Sequence, residues 1–172
     1  MRATTPKEQA VAIIHPFAPF IRPDSRVMVL GSFPSVRSRG EGFYYGHPQN
    51  RFWPVLAALF DEALPEDTAG RMRLLEKHRV ALWDVVASCE IAGSSDQSIK
   101  SATINPIAKL LLTYDIRAIL LNGGRAKTLY EKRASPKPDI PALGLPSTSA
   151  ANASWRLPQL IEAWGLIHNW LA

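Results

Sequence analysis

Three polar clusters in this chain of 172 residues carry side chains from which a binding or catalytic site could be built. The first follows an apolar run: Val27 to Leu30 empties into Gly31, Ser32, Phe33, Pro34 and Ser35, then into Phe43, Tyr44, Tyr45, His47, Gln49 and Asn50. Aromatic rings stack on flat ligands and carboxamides hydrogen-bond their edges, so this set suits a planar polar ligand. The second is LNGGRA at residues 121–126, where Asn122 offers a carboxamide and Gly123-Gly124 opens a helix whose free amides suit an anion. A plain helix-starting turn explains LNGGRA equally well. The third, LPSTSAAN at residues 145–152, supplies Ser147, Thr148, Ser149 and Asn152.

Other chemistries are poorly served. GSFPS has the spacing of neither phosphate-cradling glycine motif, GxGxxG or GxxxxGK[ST]. His47 precedes Pro48 with no nucleophile pattern beside it, and reads as a structural histidine. No His, Cys, Asp or Glu grouping has metal-ligand spacing, so neither a metal nor any other cofactor is expected. Asp84 and Asp96 are the carboxylates nearest the rim expected at the strand ends, and Asp84 reads as a loop hydrogen-bonding group rather than a general base.

These residues need elements to position them. Four short apolar runs have strand character: residues 27–31, 80–86, 117–122 and 140–145. Helical spacing of apolar residues marks 52–63, 66–78, 104–114 and 124–133, and a last helix starts near Ser154, with Pro158 in its first turn. The tryptophans at 155, 164 and 170 read as core residues of that helix. Loops are expected at 35–44, 91–103 and 133–139 from their Gly, Ser, Pro and charge content. Alternation of strands and helices predicts an α/β fold: a three-layer α/β/α sandwich around a central, mostly parallel four-stranded sheet. Each strand ends in a polar or glycine-rich segment, and ligands bind at that rim, so the four segments should converge on one cleft.

The composition fits one domain over residues 1–172, with 47% hydrophobic residues for a single core. Lys and Arg outnumber Asp and Glu by 20 to 15, a formal +5, which suits a polyanionic partner without requiring one. The one cysteine, Cys89, excludes an internal disulfide and an iron-sulfur cluster, and points to a reducing compartment. Neither a secretory signal nor a membrane span is legible, so a soluble, cytoplasmic protein is expected, nucleoid-associated if prokaryotic; a monomer is expected as well.

GSFPS, then GFYYGHPQNRFW beginning at Gly42, and PSTSAAN at residues 146–152 resemble the uracil-DNA glycosylase superfamily, most closely its hypoxanthine-DNA glycosylase branch. ALWDVVASCEIAGSSDQSI at residues 81–99 also looks like that branch. The resemblance implies a DNA partner containing deoxyinosine or another deaminated base. It implies base contacts from Gly31, Ser32, Phe33 and Asn122, stacking by Tyr45, and DNA-backbone contacts from Ser35, Ser147, Thr148, Ser149 and Asn152. Other branches carry a water-activating Asp or Asn where this chain has Phe33, and a His where it has Leu145. The hypoxanthine branch lacks both, and its important Asn matches Asn50.

The implied chemistry is hydrolysis of an N-glycosidic bond after the nucleotide is flipped from the duplex. Positive charge builds on the sugar and negative charge on the departing base, and both must be stabilised. A neutral carboxamide takes no proton near pH 7, so Asn50 can only orient water or the base. It also directly precedes a helix, where Asn is a favoured cap. No lysine is placed for Schiff-base chemistry, so a monofunctional enzyme leaving an abasic site is expected. A mismatch-type uracil glycosylase and a non-catalytic damaged-DNA-binding domain are the alternatives. Arg37, Arg39, Arg51 and Lys100 could contact phosphates, with scattered surface charge as the default reading.

Overall fold

A computed structural model describes residues 11–91 and 99–172 of the chain. The elements run β1 (Val11–Ile14), β2 (Val27–Gly31), α1 (Val36–Glu41), α2 (Phe52–Leu59), α3 (Thr68–Lys77), β3 (Val80–Asp84), β4 (Val86–Ile91) and β5 (Ile99–Ile104). They continue with α4 (Ile107–Leu110), β6 (Ala118–Asn122), α5 (Gly124–Arg133), β7 (Ala142–Leu145) and α6 (Leu157–Trp164), which tightens into a 3-10 turn over Gly165–Trp170.

Four strands form the central sheet in the order β3-β2-β6-β7, and every pairing is parallel. Helices flank it, and all five residues of β2 and of β3 are buried, as expected of strands covered on both faces. The chain leaves β2 for β3 on one side and returns to β6 on the other. The carboxyl end of β2 is therefore a topological switch point, where an open α/β sheet leaves a crevice. The register aligns Gly31 with Asp84 and Asn122 with Leu145, so all four strand ends share one rim.

The predicted strands hold within a residue or two, but the run at 80–86 divides at Val85. There the chain leaves the parallel sheet beside the turn after β2: the Val85 amide donates to the Gly31 carbonyl at 2.8 Å and the Val86 amide to the Ser32 carbonyl at 3.0 Å. Beyond the break, β4 pairs antiparallel with both β1 and β5 in a second, three-stranded sheet. This corrects the expected loop at 91–103, of which 92–98, including Asp96, lies outside the described residues. The expected loop at 35–44 is likewise corrected, because Ser35 caps α1 by accepting the Ser38 amide at 3.1 Å. The helix expected over 104–114 is a single turn, α4.

Helix α2 buries Phe52, Trp53, Val55, Leu56 and Ala57, and the Phe52 ring meets Trp164 of α6 edge-on at 6.1 Å. Trp164 is fully buried, and its indole donates to the Pro146 carbonyl at 3.0 Å, tying α6 to the segment after β7. Removing a ring packed this way costs about 3–5 kcal/mol. Trp170 packs at the edge of the same core, whereas Trp155 precedes α6 and is exposed, contrary to its expected place in the helix. Among the described residues, no helix is long and apolar enough to cross a membrane.

Candidate active site

A cavity of about 120 Å³ opens at the switch point, between the turn after β2, the ends of β3 and β6, and the segment after β7. That is the scale of one ring-shaped ligand, since a cavity of about 150 Å³ accepts benzene. Gly31, Ser32, Phe33, Ser35, Tyr45, Asn50, Asn122, Ser147, Thr148 and Ser149 all line it, together with Asp84.

Asn50, Asn122 and Thr148 meet there through hydrogen bonds whose directions are fixed by chemistry. The Phe52 amide can only donate, so the Asn50 atom facing it at 2.9 Å is the carbonyl oxygen, Oδ1. Likewise the Thr148 amide donates to Asn122 Oδ1 at 3.0 Å, which leaves Asn122 Nδ2 to donate to Thr148 Oγ1 at 3.0 Å. The Thr148 hydroxyl then has its own proton to give, and gives it to Asn50 Oδ1 at 2.8 Å. Both lone pairs of that oxygen are occupied. What Asn50 retains for the cavity is its Nδ2 amino group, a donor without a partner among the described residues.

The segment after β7 is held by Arg51, immediately before α2. Its amide donates to the Thr148 carbonyl at 2.9 Å, and its guanidinium donates to the carbonyls of Ser149 at 2.7 Å, Asn152 at 3.1 Å and Trp155. A guanidinium committed to backbone carbonyls is not free for phosphate, which corrects one expected DNA contact. Thr148 corrects another: it is fully buried, so its side chain works inside the protein. Asn152 Nδ2 closes the loop on the Ser147 carbonyl at 3.0 Å, and Ser147 Oγ accepts the Ser149 amide at 3.2 Å. Gly123 makes the approach of this loop possible: it has φ +96°, and a Cβ there would fall 2.9 Å from Ser147 Cβ.

Phe33 is buried against Val86, Cys89 and Ala102, with the Arg39 guanidinium 5.8 Å from its ring centroid. A phenyl ring here cannot activate water. Leu145 is also buried, in the main core. Ser35 is spent on the α1 cap, Arg37 pairs with Glu41 at 2.8 Å, and the exposed His47 accepts the Gln49 amide at 3.1 Å, a local structural role as expected.

The cavity floor holds groups that sequence reasoning undervalued. Tyr45 has φ +53°, a strained conformation for a non-glycine residue. Its ring stacks on Phe52 at 4.1 Å and 25°. Its hydroxyl is buried without a hydrogen-bond partner among the described residues. Burial, then the nearby Asp84 charge, push that hydroxyl well above the usual tyrosine range, against a smaller opposing pull from Asn122. Tyr44 is raised too, by burial, Asp84 and Tyr45 in that order, while its hydroxyl donates to the Ala18 carbonyl at 3.0 Å. Asp84 itself is buried, with Oδ2 held 2.7 Å from His15 Nε2. A Cβ at Gly31 would lie 2.5 Å from Asp84 Oδ1 and 3.3 Å from the Tyr45 hydroxyl, so only glycine fits beneath them.

A ring-sized cavity at the carboxyl rim of a parallel sheet, walled by carboxamides and an aromatic ring, suits a flat polar heterocycle. The chain belongs to the uracil DNA glycosylase superfamily, whose family model matches residues 18–167. Among individual relatives, it is 31% identical over 143 residues to the hypoxanthine DNA glycosylase of Methanosarcina barkeri, spanning 79% of this chain and 86% of that protein. The hypoxanthine DNA glycosylase of Methanosarcina acetivorans is 33% identical over 137 residues, spanning 75% and 82%. The fold is similar to the solution NMR structure of a candidate uracil DNA glycosylase from Methanosarcina acetivorans. There the TM-score is 0.73 with 28% identity, over 90% of this chain and 96% of the other.

Proposed function

We propose that the protein is a DNA repair glycosylase that hydrolyses the N-glycosidic bond of a flipped, deaminated nucleotide, chiefly deoxyinosine. The observation that carries this reading is the direction of the Asn50 carboxamide. With Oδ1 occupied by Phe52 and Thr148, Asn50 cannot take a proton from water, but Nδ2 can donate to the ring nitrogen or oxygen on which the leaving base gathers charge. The C1′–N9 bond breaks with its electron pair moving onto the base. Water then adds at C1′, its oxygen bonding to the sugar and its proton passing to the departing base anion, and leaves an abasic site and neutral hypoxanthine. Bond breaking that runs ahead of water attack suits a site where Phe33 stands in place of a water-activating group. The two hypoxanthine DNA glycosylases similar to this chain support hypoxanthine over uracil as the main substrate.

Tyr45 and the walls around Gly31, Ser32 and Asn122 enclose the base in this reading, while Ser147, Ser149 and Asn152 shape the loop that meets the DNA backbone. The whole chain acts as one metal-independent, monomeric domain in the cytoplasm. Purified protein incubated in excess with duplexes containing inosine, uracil or xanthine, with and without a chelator, tests the reading. Release of hypoxanthine under single-turnover conditions is the expected result. Binding without base release would favour a damage-binding domain, and preferred release of uracil would favour a mismatch-type uracil glycosylase.

A further inference from the structure

The cavity floor contains a carboxylate that the chemistry above leaves unused. Asp84 is 3% exposed and commits Oδ2 to His15 Nε2 at 2.7 Å. His15 is delivered by the segment after β1, and its ring is enclosed by Phe17, Phe33 and Tyr44 at centroid distances of 5.6, 5.8 and 6.1 Å. Its other nitrogen, Nδ1, lies 2.9 Å from the Phe17 carbonyl and 3.2 Å from the Phe17 amide. If Nδ1 accepts from the amide, Nε2 donates to a carboxylate. If Nδ1 donates to the carbonyl, one proton is shared between Nε2 and Oδ2. In both arrangements Oδ2 is occupied and Oδ1 remains purely an acceptor.

Asp84 lines the cavity, its Oδ1 lies directly over Gly31, and that oxygen has no hydrogen-bond partner among the described residues. An acceptor that the protein leaves unpaired at a cavity wall is matched by a ligand that brings an N–H to it. A 6-oxopurine carries such a group, N1–H, beside its carbonyl. Adenine has a bare acceptor nitrogen at the same ring position, and two acceptors face to face repel. We propose that His15 is a positioning residue that commits one oxygen of Asp84, so that the other reads the ring N–H of the flipped base and discriminates hypoxanthine from adenine. This rests on the glycosylase reading and adds its specificity device.

The test compares His15→Phe, which keeps an aromatic ring but removes the donor, with His15→Gln, whose amide can reach Oδ2. Single-turnover release from inosine and adenine duplexes is measured beside the thermal midpoint. His15→Phe should lose about a hundredfold in hypoxanthine release, and His15→Gln should recover most of it. Asp84→Asn, whose amide can donate to adenine N1, should reduce the inosine-to-adenine rate ratio by about a hundredfold or more. Because His15→Phe strands a buried carboxylate at the expense of folding, the double variant His15→Phe/Asp84→Asn serves as the folded control. The double variant should melt near the wild type yet remain slow. A folded His15→Phe or double variant working at the wild-type rate with an unchanged base ratio would overturn the proposal. Wild-type protein that releases no base at all would instead overturn the glycosylase reading beneath it.

Discussion

Thr148→Val removes one hydroxyl from the centre of the site at nearly constant volume, and its consequences can be followed bond by bond. The hydroxyl accepts from Asn122 Nδ2 at 3.0 Å and donates to Asn50 Oδ1 at 2.8 Å. Without it a part-buried Asn122 amine loses its acceptor, at a cost of about 1–3 kcal/mol. For a chain of this size that lowers the melting temperature by roughly 2–4 °C per kcal/mol. Asn50 keeps its bond from the Phe52 amide at 2.9 Å but loses the second restraint that sets the plane of the carboxamide. Misplacing a reacting group by about 1 Å costs on the order of a hundredfold in rate. Single-turnover release of hypoxanthine should therefore fall by that order, while Thr148→Ser should stay close to wild type. The coupling is specific: in an Asn50→Ala background, Thr148→Val should add little further loss of rate, because the group it positions is gone. A folded Thr148→Val with the wild-type rate would refute the reasoning, as would fully additive losses in the double variant.

Asn50→Asp keeps the oxygen that accepts from Phe52 but cannot donate from the position of Nδ2, so stability should change by less than about 1 kcal/mol while the rate falls about a hundredfold or more. Denaturant titration beside base-release kinetics separates the two effects, and unimpaired release by the aspartate variant would contradict the donor role. Tyr44 and Tyr45 are both held neutral, their hydroxyls raised by burial. Folded tyrosines raised in this way contribute stability that is intact below the unfolded tyrosine value near pH 10 and is lost as pH rises above it, by about 1.4 kcal/mol per pH unit for each. Tyr45→Phe should remove about half of that slope and, since the hydroxyl is unpartnered, cost little or no stability at pH 7. Denaturant midpoints measured from pH 8 to 11.5 check both points.

Much of the site was legible because its parts lie at strand ends, and strand ends announce themselves in turn chemistry. Val27–Gly31 leading into Pro34, and Leu121-Asn122 leading into a glycine pair, mark the rim within the sequence itself. The N-terminal strand was harder to see. VAII becomes a strand only by pairing with Val86–Ile91, some seventy-five residues on, and no local pattern encodes that register. Asp84 was undervalued for the same reason, since its partner His15 stands 69 positions away. The α1 segment carries the cap residue Ser35, but its glycines and charges read as a loop.

By itself the sequence determined the class of fold, the rim on which chemistry must occur and the absence of the usual water-activating group at Phe33, because apolar periodicity and turn residues are local properties. Only the tertiary structure decided which polar groups turn inward. Arg51 and Thr148 read as contacts for DNA, yet the path of the loop after β7 makes one a staple for four carbonyls and the other a buried relay. The same path assigns Asn50 its donor. A carboxamide has two faces of opposite sense, and which one meets the ligand depends on neighbours that the chain brings together from 98 residues away.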